Sequence, residues 1–138
     1  MARLVLTNAY VAFASNDVST YVTSVSLSTS YDSIETTGLG NTARTRVAGL
    51  ADNSVTIEFN QDFAAGAIEA LVNGATSTLG TAVAMEIRPT SAVVGSTNPK
   101  YTFNALITEW QPLSGAVGEL STVSVTWPIS GVITKATS

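Results

Sequence analysis

The chain has 138 residues, a formal charge of −4 from six basic and ten acidic side chains, and neither histidine nor cysteine. That length fits one domain with a core large enough to fold without staples. The composition excludes disulfides, thiolate nucleophiles, thiolate metal sites and histidine-based acid–base or zinc chemistry. The scattered charges form no basic stripe, which argues against tight nucleic-acid binding on the outside.

Charged residues make up 12% of the chain, about half the usual share, while Ser and Thr together reach about a quarter. A monomer ordinarily keeps more charge on its surface. Hydroxyl side chains can instead be buried at modest cost when they find partners. Two readings follow: a Thr-rich but ordinary β surface, or a surface covered by further copies of the chain. Apolar runs break within a few residues, far short of the roughly 20 that a membrane helix needs, so no such helix is expected. The opening M-A-R-L-V-L-T-N holds no apolar block of secretory length.

In chain order, residues 4–13 read as a first strand with an irregularity at Asn8, and Asn16–Asp17 as a turn. Residues 19–30 alternate: Tyr21, Thr23, Val25 and Leu27 on one face, Ser24, Ser26 and Ser28 on the other. Residues 31–52 change character, with Gly38, Gly40 and Gly49, the acids Asp32, Glu35 and Asp52, and the arginines Arg44 and Arg46. They are expected to form a long loop or arm, with room for a short hairpin of I-E-T-T against T-R-V. A stretch of this length is often functional. It is either a surface insertion or an arm that orders against a neighbouring subunit, with its arginines seeking carboxylates across the contact.

Residues 54–60, S-V-T-I-E-F-N, form the clearest strand, with Val55, Ile57 and Phe59 inward. A helix is expected over 62–74, capped by Asp62, striped by Ile68, Leu71 and Val72, and stopped by Asn73-Gly74. Further strands are expected at 82–88 (Val83, Met85 and Ile87 inward), at 100–110 with both faces partly apolar, and at 119–129 (Val123, Val125 and Trp127 inward). Residues 90–99 read as a second long loop and 130–138 as a polar tail. Seven to nine strands and one short helix point to a mainly β single domain over 1–138, a sandwich or barrel with a flanking helix.

Catalytic signatures are sparse. There is no Gly-x-Ser-x-Gly, no histidine to act as base for a serine nucleophile, no phosphate loop and no calcium loop. Glu58, Glu86 and Glu109 lie in expected strands. They are either the wet side of those strands or a row of acids facing the inside of a ring, where they would present negative charge to whatever passes. A glycosidase would need two such carboxylates across a cleft. Trp110 and Trp127 fit packing or a subunit contact better than a sugar platform. No catalytic, cofactor-binding or metal-ligating residue is therefore assigned, and no enzyme activity is expected.

The order of V-T-S-V-S-L at 22–27, I-E-T-T-G at 34–38, A-R-T-R-V-A-G-L at 43–50 and V-T-I-E-F-N-Q-D-F-A-A-G at 55–66 resembles tail tube (major tail) proteins of long-tailed, siphovirus-like bacteriophages, particularly of actinobacterial hosts. M-E-I-R-P-T-S-A at 85–92, T-N-P at 97–99, P-L-S-G at 112–115 and S-V-T-W at 124–127 extend the likeness over nearly the whole chain. The resemblance implies a β-sandwich with a flanking helix, closed by six copies into a ring whose joined sheets form an inner barrel. Rings would stack into a hollow tube that conducts DNA from capsid to host without binding it specifically. Partners implied are the chain itself, a tape-measure protein, a tail terminator and a distal tail protein, in a virion tail assembled in the host cytoplasm and with no membrane.

On this resemblance, residues 31–52 would reach the neighbouring ring, with Asp32, Glu35, Arg44, Arg46 and Asp52 as inter-ring candidates, and Glu58, Glu86 and Glu109 would be candidates for the lumen. The alternative is a non-stacking virion β-domain: a tail terminator, a capsid decoration protein or a sugar-binding tip module. The last would need Tyr21, Tyr31 or Trp110 exposed around a groove.

Overall fold

A computed structural model describes Val5, residues 7–73 and residues 80–138. Its framework is two antiparallel sheets. The strands are β1 (Tyr10–Phe13), β2 (Asn16–Asp17), β3 (Val22–Glu35), β4 (Arg46–Asn60), β5 (Ala82–Arg88), β6 (Lys100–Leu106), β7 (Thr122–Pro128) and β8 (Thr134–Ala136), with one short helix, α1 (Ile68–Asn73). One sheet has five strands in the order β2-β1-β5-β6-β8, the other three in the order β3-β4-β7. The sheets pack as a sandwich and do not close into a barrel.

Alternation decides which side chains are buried. Val55, Ile57 and Phe59 of β4 and Val123, Val125 and Trp127 of β7 meet Val11 and Phe13 of β1, Val83, Met85 and Ile87 of β5, and Phe103 of β6. These are the inward residues that the period-2 pattern selects. Trp127 sits at the centre. Its ring lies 5.9 Å from Phe13 across the sandwich and 6.2 Å from Phe59 beside it. Trp110 packs edge-on against Phe59 at 5.7 Å.

The boundaries depart from the alternation where side chains bond to backbone. The first hairpin turns at Ala14 and Ser15, both at positive φ (50° and 70°), so Asn16–Asp17 pairs with β1 instead of forming the turn. Positive φ at both central residues matches the twist of a two-residue hairpin. Residues 19–21 form a 3₁₀ turn, tied by the Asp17 carboxylate to the Ser19 amide at 2.9 Å. A bulge between Val22 and Ser24 turns Thr23 outward, away from Val25 and Leu27, and its hydroxyl donates to the Glu58 carbonyl at 3.2 Å.

The helix is shorter than the expected 62–74. The Asp62 carboxylate caps a preceding turn at the Ala64 amide, 2.9 Å away, and regular helix begins only at Ile68. Ile68 and Val72 are buried in the core. Gly74, the expected stop, lies outside the described residues, as do positions 4 and 6 of the expected first strand.

The expected strand over 100–110 ends at Leu106. The chain then passes beside β7, where the Glu109 carboxylate accepts from the Thr126 amide at 2.8 Å and its carbonyl accepts from the Trp127 indole at 2.9 Å. The expected polar tail carries β8, which pairs with Lys100–Thr102 of β6. Ile129 bridges to Ala105, carrying the chain from one sheet to the other.

Candidate assembly surface

The stretch expected as a loop at 31–52 is the outer half of a long β-hairpin. β3 has 14 residues and β4 has 15, and their ladder runs from Val22↔Phe59 out to Glu35↔Arg46. Only the inner part of the hairpin lies over the core. The last buried residue on the way out is Asn53, and every residue from 28 to 52 is exposed except Gly49. At about 3.4 Å per residue, the six steps from Thr29 to Glu35 carry the paired strands about 20 Å beyond the sandwich.

The tip, residues 36–45, is held by polar side chains. The Thr36 amide donates to the Thr45 carbonyl at 2.8 Å, the Thr45 amide to the Thr37 hydroxyl at 3.0 Å, and the Gly38 amide to the Asn41 side chain at 2.6 Å. These local bonds supply the turn chemistry that Ser, Thr and Asn favour.

A second bulge, between Tyr31 and Ser33, resets the ladder and leaves Ile34 and Val47 as direct cross-strand partners. A Cβ at Gly49 would lie 3.1 Å from Asp32 Cβ and 3.2 Å from Ile34 Cδ1. A side chain there would crowd both neighbours, which would have to give by a few tenths of an ångström. Asp32, Ile34 and Val47 share the face opposite to the one that continues the core. Tyr31, Ile34, Leu39, Val47 and Leu50 are all exposed, Leu50 at 86% and Leu39 completely. Five large apolar side chains are thus left open to solvent on one projecting arm.

The inter-ring candidates divide. Arg44 pairs with Glu35 of its own arm at 3.6 Å, with both side chains well exposed, a contact that contributes little stability. Asp32, Arg46 and Asp52 make no ion pair among the described residues. The apolar side chains between them were not singled out in the sequence, although the pairing of Ile34 with Val47 was latent in the I-E-T-T and T-R-V hairpin.

The three candidate lumen acids are not brought together within one chain. Glu58 is exposed on the outer face of the three-stranded sheet, opposite Ser124. Glu86 is half-buried on the outer face of the other sheet and holds Arg88 at 2.6 Å. Glu109 binds the edge of β7.

Two further features bear on recognition. β3 is an edge strand without lysine or proline, and among the described residues no strand pairs with its far side. Such a long, little-charged edge invites pairing with another chain, and natural monomers usually blunt it. The five-stranded sheet carries an open depression of about 610 Å³ lined by Tyr10, Glu86, Thr102 and Asn104. Its binding groups are engaged internally: Arg88 lies 4.1 Å over the Tyr10 ring and bonds to Glu86. Among the described residues no group of three or more Asp or Glu could hold a metal ion.

No protein-family model matches the chain, and no curated protein matches it.

Proposed function

We propose that the chain is a structural subunit of a phage tail tube, in which copies close into six-membered rings and the rings stack around a DNA channel. The observation that carries this reading is the projecting β3–β4 hairpin. It exposes five large apolar side chains that contribute little to the fold of the monomer. A chain that places apolar groups on such an arm gains from covering them with another molecule.

Two other observations support self-assembly in particular. The unpaired β3 edge is suited to sheet extension between neighbours. The outer face of the three-stranded sheet is nearly free of charge, presenting Ser24, Ser26, Ser28, Thr56, Ser124 and Thr126 around Glu58. A hydroxyl surface with sparse negative charge offers a phosphate backbone no counter-charge to hold it, so DNA slides past without specific binding. Glu58 and Glu86 face away from each other on opposite sheets. A bore lined by one sheet face carries one of them, repeated by the ring.

In this reading the protein belongs to the virion tail. It is assembled in the host cytoplasm around a tape-measure protein and meets a terminator and a distal tail protein at the tube ends. Sedimentation velocity over a concentration series tests the assembly step. Open-ended growth beyond a closed ring is expected; a monomer that persists to the highest concentration overturns the reading.

A further inference from the structure

A groove of about 470 Å³ opens at the root of the arm, between the two sheets. Val25 and Leu27 of β3 form one wall, and Ile87, Pro89, Tyr101 and Ile133 form the other. One base lies at its rim: Lys135 is the cross-strand partner of Tyr101 in β8 and projects from the same face of the sheet. Lys135 forms no ion pair among the described residues.

The outer face of the arm carries the complementary pattern. Ile34 and Val47 form its apolar centre and Asp32 lies beside Ile34, while Asp52, one residue out of phase with the buried Asn53, points to the same side. Both aspartates are exposed and unpaired among the described residues. An apolar strip flanked by acids thus exists on the same chain as an apolar groove with an exposed lysine at its rim.

We propose that the outer face of the arm of one copy docks into the arm-root groove of the next, with the aspartates of the arm meeting Lys135. This rests on the self-assembly reading and names the receiving site. Register excludes an intramolecular version. Val25, Leu27 and Thr29 face the groove on the inner side of the hairpin, whereas Asp32, Ile34 and Val47 lie on the outer side, and a paired ladder cannot turn that face back onto its own root. The occupant must therefore come from a second molecule. Donor and receiver are different surfaces, so the contact is heterologous and can propagate into an open stack. The charges set register and partner choice more than they set affinity.

The absence of cysteine allows a clean test with single-cysteine variants. Val47→Cys marks the arm, Ile133→Cys the groove, and Lys135→Cys the exposed rim should Ile133→Cys fail to fold. After mild oxidation under assembling conditions, a mixture of arm and groove variants is expected to form disulfide dimers, and each variant alone is not. Assemblies that sediment normally but show no mixed disulfide, or show equal cross-linking within one variant, overturn the docking site and leave the assembly reading intact. Sedimentation as monomer only overturns both. A charge reversal provides the second arm of the test. Asp52→Lys or Lys135→Glu alone should raise the concentration needed for assembly about tenfold, and the two together should restore it largely; no restoration contradicts the pairing.

Discussion

Deleting the arm separates its role in folding from its role in assembly. Ser30 and Asp52 are cross-strand partners, so residues 31–51 can be replaced by Asn-Gly, the two-residue turn that best fits a hairpin. The excised segment contains no buried side chain. Ile34 and Val47 are each about half exposed (51% and 53%), and their burial is against the arm itself. An isolated two-stranded hairpin is marginal at best, so the arm adds almost nothing to the stability of the sandwich. Shortening the connection about tenfold returns at most about 2 kcal/mol of closure entropy. The variant should therefore unfold between the wild-type midpoint and several degrees above it, at about 3–6 °C per kcal/mol for a domain of this size. Thermal unfolding followed by circular dichroism, at a concentration where both proteins are monomeric, measures this. The same variant should fail to form higher-order species. A midpoint lowered by more than about 10 °C, which corresponds to about 2–3 kcal/mol, would show that the arm belongs to the folding unit and would refute the argument.

Other substitutions probe separate parts of the structure. Trp127→Ala should cost about 3–5 kcal/mol in denaturant titration, because it empties the centre of the core between Phe13 and Phe59. Asn98→Ala should cost about 2 kcal/mol, since the buried side chain accepts from the Thr90 amide at 3.1 Å and donates to the Ala92 carbonyl at 2.9 Å. Glu109→Ala should leave the core intact but speed hydrogen exchange at the Thr126 amide, which loses its acceptor at 2.8 Å. Gly49→Val should leave the melting midpoint nearly unchanged while weakening assembly, because the added side chain would crowd Asp32 and Ile34 on the docking face.

The core was legible in the sequence because alternation survives wherever one strand face is dry. The inward residues of 54–60, 82–88 and 121–127 stand where the pattern places them. The pattern failed beyond Asn53, where neither face is buried and alternation carries no information about strand or loop. Hydrogen bonding alone continues the ladder there, and cross-strand register cannot be read from one strand at a time.

Asn16–Asp17 misled for another reason. Turn propensity favours Asn and Asp, but the Asp17 carboxylate is committed to Ser19, and the turn fell to Ala14–Ser15. The helix was overlong in expectation because Asp62 caps a separate turn. Of the candidate assembly residues, the charges were visible as a cluster in sequence. The groove was not, because Leu27, Ile87, Tyr101 and Ile133 come from four separate segments. Lys135 was not legible for the same reason: only the β6–β8 pairing brings it beside Tyr101.

Negative-stain electron microscopy of the purified chain across a concentration series tests the central claim most directly. The account predicts rings with six-fold symmetry and a central hole that stack into hollow tubes as concentration rises, and a loss of stacking when residues 31–51 are removed. Discrete monomers or trimers that never stack at any concentration would contradict it.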